Sequence, residues 1–162
     1  MQTREAIADQ WFARVLRTYP IQTAHFLAEE KDPFRNPVGA TFRQALGILV
    51  EELLLGMDHE KVAAALDSIM QIRAVQDFTP ARALEFLFQL KVILREQQPG
   101  RVLDLLDGRI DEMALTAFDL YTKYRERTYT ARMNEARRRV FVLERAMRPG
   151  ESTPWQVRSE KR

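Results

Sequence analysis

The sequence predicts an all-α fold of six or seven helices closed by one long C-terminal helix, and three observations carry the prediction. Glycine and proline are sparse, 6 and 7 among 162 residues, and between them apolar residues recur with a period near 3.6. No alternating apolar–polar run of five or more residues marks a strand. Residues 109–147 contain neither glycine nor proline, which allows a single helix of ~55–60 Å at ~1.5 Å per residue.

The helix predicted at the centre follows Thr79-Pro80. Threonine is a good N-cap, and proline at the first helical position gives up an N–H that has no helical partner anyway. Gln98-Pro99-Gly100 ends the run. Between these signals Leu84, Phe86, Leu87, Phe88, Leu90, Val92, Ile93 and Leu94 occupy almost every azimuth, so the helix is expected to be covered on most sides. Arg82, Glu85, Gln89 and Lys91 interrupt it too often for a membrane span.

The other elements follow in order. A first helix is expected from about Thr3 to Thr18, with Ile7, Trp11, Val15 and Leu16 at helical spacing, closed by Tyr19-Pro20. A short helix from Ile21 to about Glu30 leads into Lys31-Asp32-Pro33-Phe34-Arg35-Asn36-Pro37. Its two prolines exclude a helical centre, and Phe34 is expected to anchor it on the core. A third helix runs from about Val38 to Leu55 with Gly56 as its C-cap, and Asp58 caps a fourth, His59 to about Val75. Val102 to Leu106 are expected to form a short amphipathic piece ended by Asp107-Gly108, before the long helix of about 109–147. Such a helix should protrude from a domain whose radius of gyration is only ~15 Å. Residues 1–148 are read as a single domain, globin-like in helix count or an elaborated bundle, and 149–162 as a flexible basic tail.

Composition narrows the function classes. The chain has no cysteine, which excludes disulfides, thiol catalysis and cysteine-type zinc sites. The amino terminus lacks the apolar run of a signal peptide, no segment reaches membrane-spanning length, and a cytoplasmic location is expected. The net charge of +2 hides an asymmetry: residues 1–122 carry −5 and residues 123–162 carry +7.

Residues that do chemistry are scarce. His25 lies in a short early helix and His59 in a first turn between Asp58 and Glu60, so neither is expected to hold haem. Glu29-Glu30 and Glu51-Glu52 are adjacent in sequence and point to different helix faces, which is wrong for a general acid–base pair. No His-Glu-x-x-His, glycine-rich phosphate loop or Gly-x-Ser-x-Gly occurs. The expectation is a protein that is not an enzyme, with no metal and no cofactor.

The second half of the long helix carries a different signal. Tyr129, Met133, Ala136, Val140, Leu143 and Met147 repeat at spacings of 4, 3, 4, 3 and 4, a heptad seam expected to pair with a second copy or a partner protein. Arg137-Arg138-Arg139 beside it is the densest positive patch. It reads as a solvated coiled-coil flank in preference to a nucleic-acid-binding ridge with Arg132 and Arg145. In the first half Phe118, Tyr121 and Tyr124 read as core packing with satisfied hydroxyls or as one wall of a ligand pocket. Asp119 and Lys123 stand at i, i+4, where they can pair.

Three blocks in order resemble the RsbRD N-terminal domain family, named for an RsbT co-antagonist of the bacterial stressosome. They are Lys31–Val38 (KDPFRNPV), Arg73–Ala83 (RAVQDFTPARA), and Phe118-Asp119-Leu120-Tyr121 with Arg125-Glu126 and Asn134-Glu135. The resemblance covers about residues 5–147. It implies a sensory or input module with a globin-like fold that holds no haem, dimerises, and feeds a C-terminal STAS domain through a long helix. The heptad half of residues 109–147 corresponds to that output helix. The sequence leaves no room for a STAS domain after it, so a stand-alone version of the module is expected. The implied function is non-enzymatic regulation in stress or redox signalling, by homodimerisation and binding of a STAS-type or respiratory-complex-associated protein. The alternatives are a globin-like binder of a small molecule such as haem, and nucleic-acid binding through the basic end.

Overall fold

Six helices account for the regular structure in the computed structural model, which describes residues 3–76, 78–97 and 102–147. They are α1 (Arg4–Leu16), α2 (Ile21–Glu29), α3 (Pro37–Leu55), α4 (His59–Val75), α5 (Pro80–Gln97) and α6 (Val102–Met147). No strand occurs among the described residues, so the all-α prediction holds. The chain divides into two compact units, residues 1–126 and 127–162. The expected tail, 149–162, and the Gln98-Pro99-Gly100 stop lie outside the described residues.

In the first unit α1 is capped by Thr3, whose hydroxyl accepts from the Ala6 N–H at 3.3 Å. It buries Ile7, Trp11, Phe12, Val15 and Leu16. Trp11 is fully buried. Its indole N–H donates to the Phe86 carbonyl of α5 at 2.6 Å, and the two rings stack with centroids 5.6 Å apart. The same helix is tied to α5 by Arg14 and Glu96, at 2.9 Å.

α2 buries only Leu27, and the loop after it differs from expectation. Phe34 is 96% exposed and anchors nothing. Asn36 is the anchor, at 1% exposure. Its amide N–H groups donate to the carbonyls of Leu27 (3.1 Å) and Glu30 (2.8 Å), while its Oδ1 accepts from the Gly39 N–H (2.8 Å) and so caps α3. A polar side chain wins this position because three backbone groups need partners there, which a phenyl ring cannot supply. Gly39 is required below it: a Cβ at that position would collide with the Asn36 amide.

Asp58 caps α4, as expected, accepting from the Glu60 and Lys61 N–H groups. In the turn before it the left-handed residue is Met57 (φ 62°) and not Gly56; the Met57 side chain is buried. Burial of the thioether side chain offsets a backbone preference that glycine would satisfy more cheaply.

α5 is less completely covered than its sequence implies. Ala83, Leu84, Phe86, Leu87, Leu90, Ile93 and Leu94 are buried, but Phe88 (48%) and Val92 (44%) are exposed. These two stand at i, i+4 and form one open flank of the helix.

α6 starts at Val102, ahead of the expected 109, because Asp107-Gly108 does not break it. The expected short helix and long helix are therefore one. Gly108 costs a helix interior about 1 kcal/mol relative to alanine. The turn around it is fixed by contacts to neighbours: Arg95 to Asp107 at 2.6 Å, Lys91 to Asp111 at 2.7 Å, and Arg109 donating to the Leu53 carbonyl at 2.6 Å. Its buried face in this unit is Leu106, Ile110, Met113, Ala114, Ala117 and Tyr121, at helical spacing.

Candidate functional site

Residues 127–147 of α6 form the described part of the second unit. The predicted seam lies there on one continuous helix. All six of its residues are exposed, the large ones at Tyr129 55%, Met133 54%, Val140 54%, Leu143 56% and Met147 77%. Phe141 and Val142, more than 60% exposed, add apolar surface on the helix faces outside the seam. Single exposed apolar side chains are ordinary on protein surfaces, whereas a row of this length is not. The seam is rimmed by arginine. Arg139 pairs with Glu135 one turn away at 3.1 Å, and Arg132, Arg137 and Arg138 are exposed.

The tyrosines of the first unit are engaged elsewhere. Tyr121 is buried and its hydroxyl donates to the Phe78 carbonyl at 2.9 Å. The Tyr124 hydroxyl donates to Asp67 at 2.6 Å and accepts from the Gln71 amide at 3.0 Å, joining α6 to α4. Lys123 lies over the Tyr124 ring at 5.6 Å. Phe118 is half exposed on a different part of α6. The three residues are thus not gathered around one space.

A groove of about 980 Å³ runs along α3 and α4, lined by Gln44, Ile48, Glu51, Glu52, Lys61 and Ser68 among others. Its charged groups are occupied. Glu52 is buried, takes the Lys61 ammonium at 3.1 Å and accepts from the Asp58 N–H, and it is the main cause that holds Lys61 above its ordinary pKa. Glu51 is engaged by Arg4 at 3.2 Å. His25 and His59 are exposed and neither lines the groove; His25 pairs with Glu29 at 3.0 Å. Among the described residues no group of three or more His, Cys, Asp or Glu is gathered for a metal ion, and no helix is long and apolar enough to cross a membrane.

Two buried charges escaped the sequence reading, which took Glu51-Glu52 for a solvated face: Glu52, paired with Lys61, and Arg73. The Arg73 guanidinium lies 5.1–5.9 Å from the ring centroids of Tyr19, Phe42, Phe78 and Phe86. It donates to the Arg82 carbonyl at 3.1 Å and the Thr18 hydroxyl at 3.3 Å, and its Nε has no partner among the described residues. Burial lowers its pKa and raises that of Tyr19, whose hydroxyl donates to Gln76 at 2.9 Å. The cluster ties the ends of α1, α4 and α5 together. The signal for it was positional: Arg73 continues the buried stripe Leu66, Ile69, Met70 by one turn.

The fold and its surfaces define an all-helical module whose most distinctive feature is an exposed apolar seam. The chain matches the family described as the RsbT co-antagonist protein rsbRD N-terminal domain over residues 5–136, and it belongs to that family. It is therefore a stressosome-related sensory or regulatory domain. No curated protein and no solved structure matches it.

Proposed function

We propose that this chain is a non-enzymatic regulatory module of the cytoplasm that acts by pairing the distal half of α6 with another helix. In the resting state that helix comes from a second copy, giving a homodimer; in the signalling state it belongs to a partner protein of STAS type or of a respiratory complex. The observation that carries the reading is the exposed row Tyr129, Met133, Val140, Leu143 and Met147 at heptad spacing on one unbroken helix. No haem enters this reading, because both histidines sit at the surface, on α2 and in the first turn of α4.

The test is the mass of the intact protein in solution, by light scattering, beside that of a Val140→Asp, Leu143→Asp variant. The dimer should be lost in the variant while its helical content by circular dichroism is kept, since both side chains are more than half exposed in the single chain. A monomeric intact chain, or a dimer indifferent to both aspartates, removes the self-pairing. Titration with haem should give no Soret band; a band that disappears on substituting His25 or His59 would replace this reading with a haem protein.

A further inference from the structure

The charges beside the seam bear on which helix it prefers. With Met133, Val140 and Met147 at heptad position a and Tyr129, Ala136 and Leu143 at d, the flanking e positions are Thr130, Arg137 and Glu144. The g positions are Arg132, Arg139 and Ala146. In a parallel self-pair each g residue meets the following e′ residue, so Arg132 faces Arg137 of the other copy, and only Arg139 meets an opposite charge, Glu144. In a fully overlapped antiparallel self-pair the e positions face each other and the g positions face each other. Arg137 then faces its own counterpart, and so does Arg139, while the one acid at these positions, Glu144, faces Thr130 and neutralises neither. Glu135, which holds Arg139 at 3.1 Å, sits outside the contact rim at position c. Residues 127–147 carry six arginines and two glutamates, so either pairing also joins two segments of the same net sign.

We infer that the preferred occupant of the distal α6 seam is an acidic amphipathic helix of a partner protein, with carboxylates at its e and g positions, and that it displaces a self-pair held apart by Arg132, Arg137 and Arg139. This rests on the proposed pairing role of the seam and names the chemistry of the partner. The apolar row favours a helix over nucleic acid, since a duplex offers nothing to cover Met133, Val140, Leu143 and Met147. The two modes respond to salt in opposite directions. Screening weakens attraction to an acidic helix and relieves arginine–arginine repulsion within a self-pair.

The experiment uses the full chain and two labelled synthetic helical peptides, both with leucine at a and d, one with glutamate and the other with lysine at e and g. Fluorescence anisotropy at low and high salt should show the glutamate peptide binding at least about tenfold tighter than the lysine peptide. Its affinity should fall as salt rises, while self-association read by sedimentation tightens. The variant Arg132→Glu, Arg137→Glu changes only exposed residues and should reverse the peptide preference. Equal binding of both peptides, or a preference that survives the charge reversal, overturns the inference and leaves the pairing role standing. Binding of neither peptide by a chain that is also monomeric overturns both. Salt-sensitive binding of duplex DNA or of phosphatidylserine vesicles, lost in the variant while the glutamate peptide fails to bind, assigns the arginines to those partners and overturns it as well.

Discussion

Replacing Asn36 by alanine removes three hydrogen bonds at a single buried side chain, and the cost can be apportioned. The α3 cap, Oδ1 to the Gly39 N–H at 2.8 Å, is worth about 1 kcal/mol. Of the two carbonyls served by the amide, Leu27 keeps a donor in Arg43 at 2.7 Å, so only the Glu30 carbonyl loses its side-chain partner. Leaving such a group unsatisfied costs about 1–3 kcal/mol. The expected loss for Asn36→Ala is therefore ~2–4 kcal/mol, or roughly 5–15 °C in Tm for a chain of this size. Two further variants separate the contributions. Asn36→Ser retains the cap without the bridge to α2 and should fall between wild type and alanine. Asn36→Asp keeps the acceptor for Gly39 but sets a carboxylate against two carbonyls, and it should be at least as damaging as alanine at neutral pH. Urea unfolding followed by circular dichroism measures all three. An alanine variant within about 0.5 kcal/mol of wild type, or an aspartate variant as stable as wild type, would refute the account of this loop.

Three further outcomes are expected. Gly108 lies inside α6 with nothing within 4 Å of where a Cβ would be, so Gly108→Ala should stabilise the fold by about 0.5–1 kcal/mol in thermal unfolding; a loss would mean that the glycine serves a bend. Trp11→Phe removes the 2.6 Å bond to the Phe86 carbonyl and part of a fully buried ring, and should cost about 2–4 kcal/mol by urea titration. The Tyr19 phenol has its pKa raised above 10.0, chiefly by burial. Its contribution is complete below pH 10 and is lost as pH rises through the folded value, so wild type should lose stability relative to Tyr19→Phe above pH 10. Parallel pH curves for the two proteins would show that the phenol ionises as freely in the fold as in the unfolded chain.

The parts of this fold that depend on near neighbours were legible in the sequence. The Asp58 cap and the α6 heptad each need only residues two to seven apart. What depends on distant neighbours was not. Gly108 looked like a stop because nothing local shows that Asp107, Arg109 and Asp111 are held by Arg95, Leu53 and Lys91. Phe34 looked like an anchor because its apolarity is plain, whereas the need of Leu27, Glu30 and Gly39 for partners appears only once α2 and α3 are in place. Arg73 reads as a surface cation until rings from the end of α1, from α3 and from α5 close around it. The seam residues follow a repeat that is visible in one dimension, but the arginines that flank them become meaningful only when two helices are laid side by side.

The bond from Trp11 to Phe86 spans 75 residues, and the ion pair from Arg14 to Glu96 spans 82. At ~5–20 residues per second, a ribosome needs roughly 4–15 s to make the stretch between Trp11 and its acceptor. Throughout that interval α1 offers Trp11, Phe12, Val15 and Leu16 without the helix that seals them, while the α3–α4 hairpin can already close on itself. α1 thus leaves the ribosome well ahead of the helix that completes its burial, and for those seconds the part of its apolar face that α5 covers stands open.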